Sequence, residues 1–132
     1  MRIVGKGISR KKEIQIAIEN ENENQRRMKE FLDKKREDLL LVSDPKAVRL
    51  KLGKWLNQEV ELFVSPRKNK KYRVYDSVNE KFVDFGDIRH EDFTKHKDEK
   101  RRERYLNRAT NTKGKWKSNK YSPNNLAIHG LW

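Results

Sequence analysis

The sequence predicts an α+β fold: a long N-terminal helix, a short second helix, a small three-stranded antiparallel sheet, a charged C-terminal helix and an extended tail. Three observations carry this. Residues 10–41 contain neither Pro nor Gly and are rich in Glu, Lys, Arg, Gln and Leu, side chains that favour helix. Three short segments between 59 and 85 alternate apolar and polar residues, the period of half-buried strands. Beyond Gly86, a strongly charged stretch from about Glu91 to Ala109 gives way to an end punctuated by Asn, Gly and Pro.

In the first helix Ser9 is the expected N-cap. Ile14, Ala17, Ile18, Met28, Phe31, Leu32 and Leu39 keep three- and four-residue spacing, but Glu-Asn-Glu-Asn-Glu-Asn at 19–24 interrupts the stripe. So long a polar gap does not pack on the chain's own core. The helix either projects and lies against a neighbour, or is solvated and frays, or breaks near Asn22–Asn24. Ser43-Asp44-Pro45 restarts the chain with a capping side chain before a Pro suited to the first helical position. The helix 45–56 then gathers Val48, Leu52, Trp55 and Leu56 on one core-facing side.

Residues 59–64 alternate as a strand with Val60, Leu62 and Val64 inward, and Ser65 to Asn69 reads as a turn. Residues 71–76 and 81–85 follow as strands, with Tyr72, Val74, Phe82, Val83 and Phe85 as inward candidates and Ser77 to Glu80 as the hairpin loop. Three such strands need a helix on one face to be stable. In the charged helix, Phe93, His96, Lys100 and Leu106 form the least polar line, with Tyr105 beside it. The units expected are a basic N-terminus with a long projecting helix (1–42), a small α+β domain (43–110) and an extended basic and aromatic tail (111–132).

Of the 132 residues, 33% are hydrophobic and 40% charged, and Lys+Arg exceed Asp+Glu by 33 to 20, a net +13. Such a chain has a thin core and opposes its own compaction by charge repulsion. Partners that complete the burial and neutralise the charge are expected, the protein being ordered mainly within an assembly. There is no cysteine, which excludes a disulfide framework and a Cys-based zinc site. No apolar run approaches a membrane span. Met1 to Gly7 lacks the apolar core of a signal peptide, so synthesis in a soluble intracellular setting is expected.

The basic residues are clustered. Residues 1–12 and 65–73 each hold five and no acid, and 111–132 hold four lysines and no acid. Arg67, Lys68, Lys70 and Lys71 surround a turn and precede Tyr72. Lys113, Lys115, Lys117 and Lys120 interleave with Trp116 and Tyr121. Basic groups among exposed aromatics suit single-stranded nucleic acid, through phosphate neutralisation and base stacking. They also suit a tail laid on an acidic protein groove, with Trp116, Tyr121 and Trp132 as anchors. Leu126, Ile128, Leu131 and Trp132 show no regular period, which fits an arm docked on another molecule; the alternative is that Trp116 and Trp132 fold back onto the sheet.

The stretch Phe85-Gly86-Asp87, Asp92-Phe93-Thr94-Lys95-His96-Lys97-Asp98 and Arg101-Arg102-Glu103-Arg104-Tyr105-Leu106, followed by Trp116 and ending in Leu131-Trp132, resembles a family of small basic proteins of nucleocytoplasmic large DNA viruses. The resemblance covers about residues 70–132 and rests on Phe85, Gly86, Asp92, Phe93, His96, Lys97, Asp98, Arg101 and Tyr105. That family has no established activity. The resemblance implies a setting, a large double-stranded DNA virus particle made in an infected cell, where larger capsid proteins and nucleic acid are the partners at hand.

Catalysis finds little support. Ile128-His129-Gly130-Leu131-Trp132 is similar to the first active-site motif of the T2-type ribonucleases. There it comes first in the chain, in larger disulfide-stabilised enzymes, so here it reads as a chance string. His90, Asp92, His96 and Asp98 are candidate metal ligands, yet only Asp92 and His96 share a helix face and no third ligand is evident. Asp92 is expected to cap or salt-bridge, and His96 to hydrogen-bond within the fold. No metal, cofactor or enzyme activity is expected. The leading expectation is a minor capsid or internal virion protein bridging larger subunits; the alternative is a sequence-nonspecific nucleic-acid-binding virion protein.

Overall fold

The structure is a computed structural model that describes residues 9–132; the basic stretch 1–8 lies outside the described residues. The chain divides into two units, Met1–Lys34 and Lys35–Trp132. Within the first, helix α1 (Arg10–Leu40) begins and runs unbroken through Asn22–Asn24, on into the second unit. Ser9 caps it, its Oγ accepting from Lys12 N at 3.3 Å. Where the apolar stripe fails, local ion pairs serve instead. Glu23 pairs with Arg26 and Arg27 at 2.5 and 3.1 Å, and Arg26 reaches Glu30 at 2.8 Å. Such pairs stabilise a helix only weakly.

The second unit carries the core. Helix α2 (Pro45–Leu56) starts at the Asp44 cap with Pro45 in its first turn, and closes at Asn57 in a left-handed conformation. Its Val48 and Leu52 are fully buried and Trp55 and Leu56 half-buried, as the spacing predicts. Strands β1 (Phe63–Val64), β2 (Lys70–Asp76) and β3 (Lys81–Asp87) form an antiparallel sheet in the order β1-β2-β3. β1 is shorter than its alternating sequence suggests, though Val60 is still buried and Glu59, Glu61 and Phe63 point to solvent. Phe82, expected inward, is on the exposed face, because Val83 and Phe85 take the core positions opposite Val74 and Tyr72. Asp76 shapes the 77–80 turn, accepting from the backbone of Val78 and Asn79 at 2.9 and 3.0 Å.

Two corrections concern the C-terminal part. The single helix expected over 91–109 is two: α3 (Phe93–His96) and α4 (Glu99–Thr110). Lys97 turns left-handed at φ 58° to end α3, and Asp98 accepts from Lys100 and Arg101 N to start α4. Asp92 and Asp98 are thus two N-caps, and a cap side chain competes with helix continuation. The tail is not extended throughout either. After a 3-10 turn (Trp116–Ser118), helix α5 (Pro123–Gly130) forms behind a Ser122 cap.

α5 is short but buried. Leu126 and Leu131 are core residues beside Leu39, Val48, Leu52, Tyr72 and Phe85. The contacts are close enough that a side chain at either of two glycines would force its neighbours to shift. A Cβ at Gly130 would stand 2.8 Å from Leu52 Cδ2. One at Gly86, whose φ is +81°, would meet Leu131 Cδ1 at 2.9 Å. The tail therefore supplies part of the burial that the composition makes scarce. No helix among the described residues is long and apolar enough to cross a membrane.

Candidate functional site

The basic turn between β1 and β2 separates into two kinds of residue. Arg67 and Lys68 are exposed and Lys70 is half-buried. Lys71 is not available to an outside partner: it is 2% exposed and pairs with Asp92 at 3.0 Å. Burial pushes the Lys71 ammonium down, and the Asp92 carboxylate opposes that shift. Tyr72 is equally internal, its hydroxyl donating to Ser43 Oγ at 2.7 Å. The Lys71 expectation fails because the Asp92 carboxylate holds the ammonium inside, at a strand position that alternation alone would leave in water.

Asp92 is the hub of this interior. Its Oδ2 takes the Lys71 bond, while its Oδ1 accepts from Thr94 N at 3.0 Å and from the Thr94 hydroxyl. Thr94 Oγ1 in turn accepts from Asp44 N at 2.9 Å. The network ties the sheet to the starts of α2 and α3. Several motif residues, Phe85, Gly86 and Asp92 among them, thus build the frame. A buried pair of this kind is costly to break, since either charge left alone is uncompensated.

Another buried lysine fixes the turn. Lys35 Nζ donates to Ser65 O at 2.5 Å and to Arg67 O. This holds the loop that carries Arg67 and Lys68.

The aromatic residues expected as anchors for a partner are engaged within the chain. Tyr121 is buried, its hydroxyl accepting from Gln58 Nε2 at 2.8 Å. Trp116 is half-buried and donates from Nε1 to Thr112 O at 2.7 Å. Trp132 stacks on Tyr105 with centroids 4.2 Å apart and planes within 11°. Arg102 Nε donates to Trp132 O at 2.7 Å, which fixes that stack. Around these rings Lys113, Lys115, Lys117 and Lys120 are exposed. Their charges face water from a folded platform.

The Tyr105–Trp132 stack forms one wall of a cleft of about 310 Å³, which Arg101, Arg104 and Arg108 line with His90 and Glu91. The three arginines lie at i, i+3 and i+7, one face of α4. Arg104 and Arg108 are exposed. The Arg108 guanidinium lies 5.7 Å from the Tyr105 ring centroid, and Arg101 approaches Glu91 at 3.5 Å. Burial raises the Tyr105 phenol, so it stays protonated. Three guanidiniums facing one carboxylate make a cationic cleft, and their planar forks suit phosphate oxygens. The motif string holds Arg101 and Arg104 but not Arg108, although the helical spacing of all three is legible in the sequence.

The histidines occupy three separate environments. His129 stacks on Trp55 at 3.6 Å, and burial first, then Lys120 and Lys51, lower its pKa. His96 Nδ1 accepts from Asp98 N at 2.9 Å, while its buried Nε2 lacks a hydrogen-bond partner among the described residues. Burial, then Arg101, lowers the His96 pKa. His90 is exposed beside Asp87. Among the described residues, no three His, Asp or Glu side chains gather as a metal-binding group.

Residues 60–109 match a family of unknown function (DUF5754). The matched stretch runs from the end of the α2–β1 connection through the sheet to the last turn of α4, and includes Lys71, Asp92 and all three cleft arginines. No curated protein and no solved structure matches the chain.

Proposed function

We propose that this chain is a non-enzymatic nucleic-acid-binding protein that grips phosphates without reading sequence. The observation that supports this best is the cleft on α4, where Arg101, Arg104 and Arg108 face outward beside the Tyr105–Trp132 stack. The exposed lysines of 113–120 extend the positive surface, and the net +13 of the chain favours any polyanion. The likeness to proteins of large DNA viruses gives the proposal its setting, a virion protein neutralising packaged genome.

A fluorescence titration with a labelled generic oligonucleotide over a range of salt tests the reading. Log K is expected to fall linearly with log salt. Arg104→Gln with Arg108→Gln should weaken binding and reduce the slope by about 1 for each phosphate no longer gripped. Both side chains are exposed, so the fold should be untouched. An unchanged slope and affinity in the double variant would remove the cleft from the account.

A second reading, a linker between larger capsid subunits, draws support from one feature of α1. Ile14, Ile18 and Met28 are each about half exposed, at 52, 47 and 50%. Exposed apolar side chains in helical register suit a partner helix. Loss of the protein from DNA-free particles would decide against the linker, and its retention there would favour it.

A further inference from the structure

We infer that the outer face of the three-stranded sheet is a stacking platform for the bases of single-stranded nucleic acid, an inference that rests on the nucleic-acid reading and narrows its partner. The face is set by register. Phe63 lies opposite Arg73, Arg73 opposite Asp84, and Tyr75 opposite Phe82, so all five side chains share the side away from Tyr72, Val74 and Phe85. Three of them are aromatic and open to solvent: Phe63 at 38%, Tyr75 at 46% and Phe82 at 52%. A water-facing side of an antiparallel sheet ordinarily carries polar residues. Three exposed rings on so small a sheet mark a binding surface.

The rings are held in place before any ligand arrives. Phe82 makes edge contacts with Tyr75 at 5.2 Å and Phe63 at 6.2 Å. The Arg73 guanidinium lies 5.3 Å from the Phe82 centroid. Two bonds of 3.0 Å to Asp84 fix that guanidinium, and Ser65 Oγ donates to the same carboxylate at 2.6 Å. The result is a rigid patch of π-faces with a planar cation, the surface on which successive bases stack.

Charge around the patch favours one orientation of a strand. The rings open into a cleft of about 420 Å³ whose other wall includes Glu59 and Glu61. Those carboxylates turn phosphates away and accept hydrogen bonds from base N–H groups. Phosphates are drawn instead to the 65–69 turn, where Arg67 and Lys68 are exposed and Lys35 fixes the backbone. The Arg67 charge already acts on Asp84 at the edge of the platform. A duplex hides its base faces, so the platform selects unpaired strands.

Anisotropy with a labelled mixed-sequence single strand and the matching duplex, at one moderate salt concentration, tests this. The wild-type chain should bind the single strand more tightly. Tyr75→Ala and Phe82→Ala should each weaken single-strand binding roughly 10- to 100-fold, with duplex binding unchanged. Tyr75→Phe should restore binding, because the ring is what stacks. Unaltered thermal melts of the alanine variants establish that the exposed positions do not carry the fold. If wild type binds both forms and the alanine variants bind single strands as well as it does, the platform is wrong while the nucleic-acid reading stands. If the wild type binds neither form at low salt, both fall, and a protein partner becomes the occupant of the patch.

Discussion

Helix α1 over residues 10–34 and helix α5 over 123–130 teach opposite lessons about what makes a helix. The first has the residues that propensity favours, and its apolar side chains Ile14, Ile18 and Met28 remain about half exposed. The second is eight residues long, starts with Pro-Asn-Asn, and has five of its residues buried. Local preference and ion pairs suffice to write α1. α5 exists because Leu126 and Leu131 complete a core, and in proteins packing of a face outweighs propensity. Sequence patterning therefore reads the long helix easily and misses the short one that matters more to the fold.

The sharpest way to break this comparison is to delete residues 124–132. The account expects loss of the cooperative melt followed by circular dichroism, because the deletion removes Leu126 and Leu131 from the core. An unchanged melt would return the tail to the role of a detachable arm.

Lys71→Met comes next, leaving Asp92 buried without its ammonium; a loss of about 3–5 kcal/mol is expected in denaturant titration. Lys68→Met, a few residues away and exposed, should stay within about 0.5 kcal/mol. Equal effects would mean that the division between structural and surface lysines is false. Gly130→Ala should cost about 1–3 kcal/mol by crowding Leu52.

A smaller effect comes from pH. His96 and His129 have folded pKa values below the ordinary 6.5, chiefly through burial. Between the folded and unfolded values the unfolded chain holds more protons, so stability rises with pH through that window and falls on acidification below about 6.5. The lowered carboxylates Asp76, Asp84, Asp87 and Asp98 lose their contribution only in a more acid range, Asp87 at about 2. Melting temperatures should therefore decline between pH 7 and 5, and His129→Phe, which keeps a ring on Trp55, should flatten the decline. At the bottom of the scale, Glu23→Gln in α1 should leave the melt of residues 35–132 unchanged.

Much of the fold was legible because its signals are local. Ser9, Asp44-Pro45 and the β2–β3 alternation each act within a few residues, and the elements follow them. Lys71 looks like a surface lysine in the sequence because the Asp92 that holds it lies well along the chain, beyond the β2–β3 hairpin. The break at Lys97 was missed although Asp92 and Asp98 are both good caps. Ser122-Pro123 repeats the Asp44-Pro45 signal ahead of α5, but the helix it starts has too few turns to show a period. For the candidate site, Arg101 and Tyr105 were noticed as motif residues. That they share a cleft with Arg104, Arg108 and Trp132 depends on the fold-back of the tail.

Backbone amide chemical-shift mapping with an added single-stranded oligonucleotide puts the binding account to its most direct test, because it reports on α1 and on the folded unit in one experiment. The account predicts shifts along Arg101–Arg108 of α4 and at Phe63, Arg73, Tyr75 and Phe82 on the sheet, with residues 10–34 little changed. Shifts confined to residues 10–34, with α4 and the sheet silent, would contradict it.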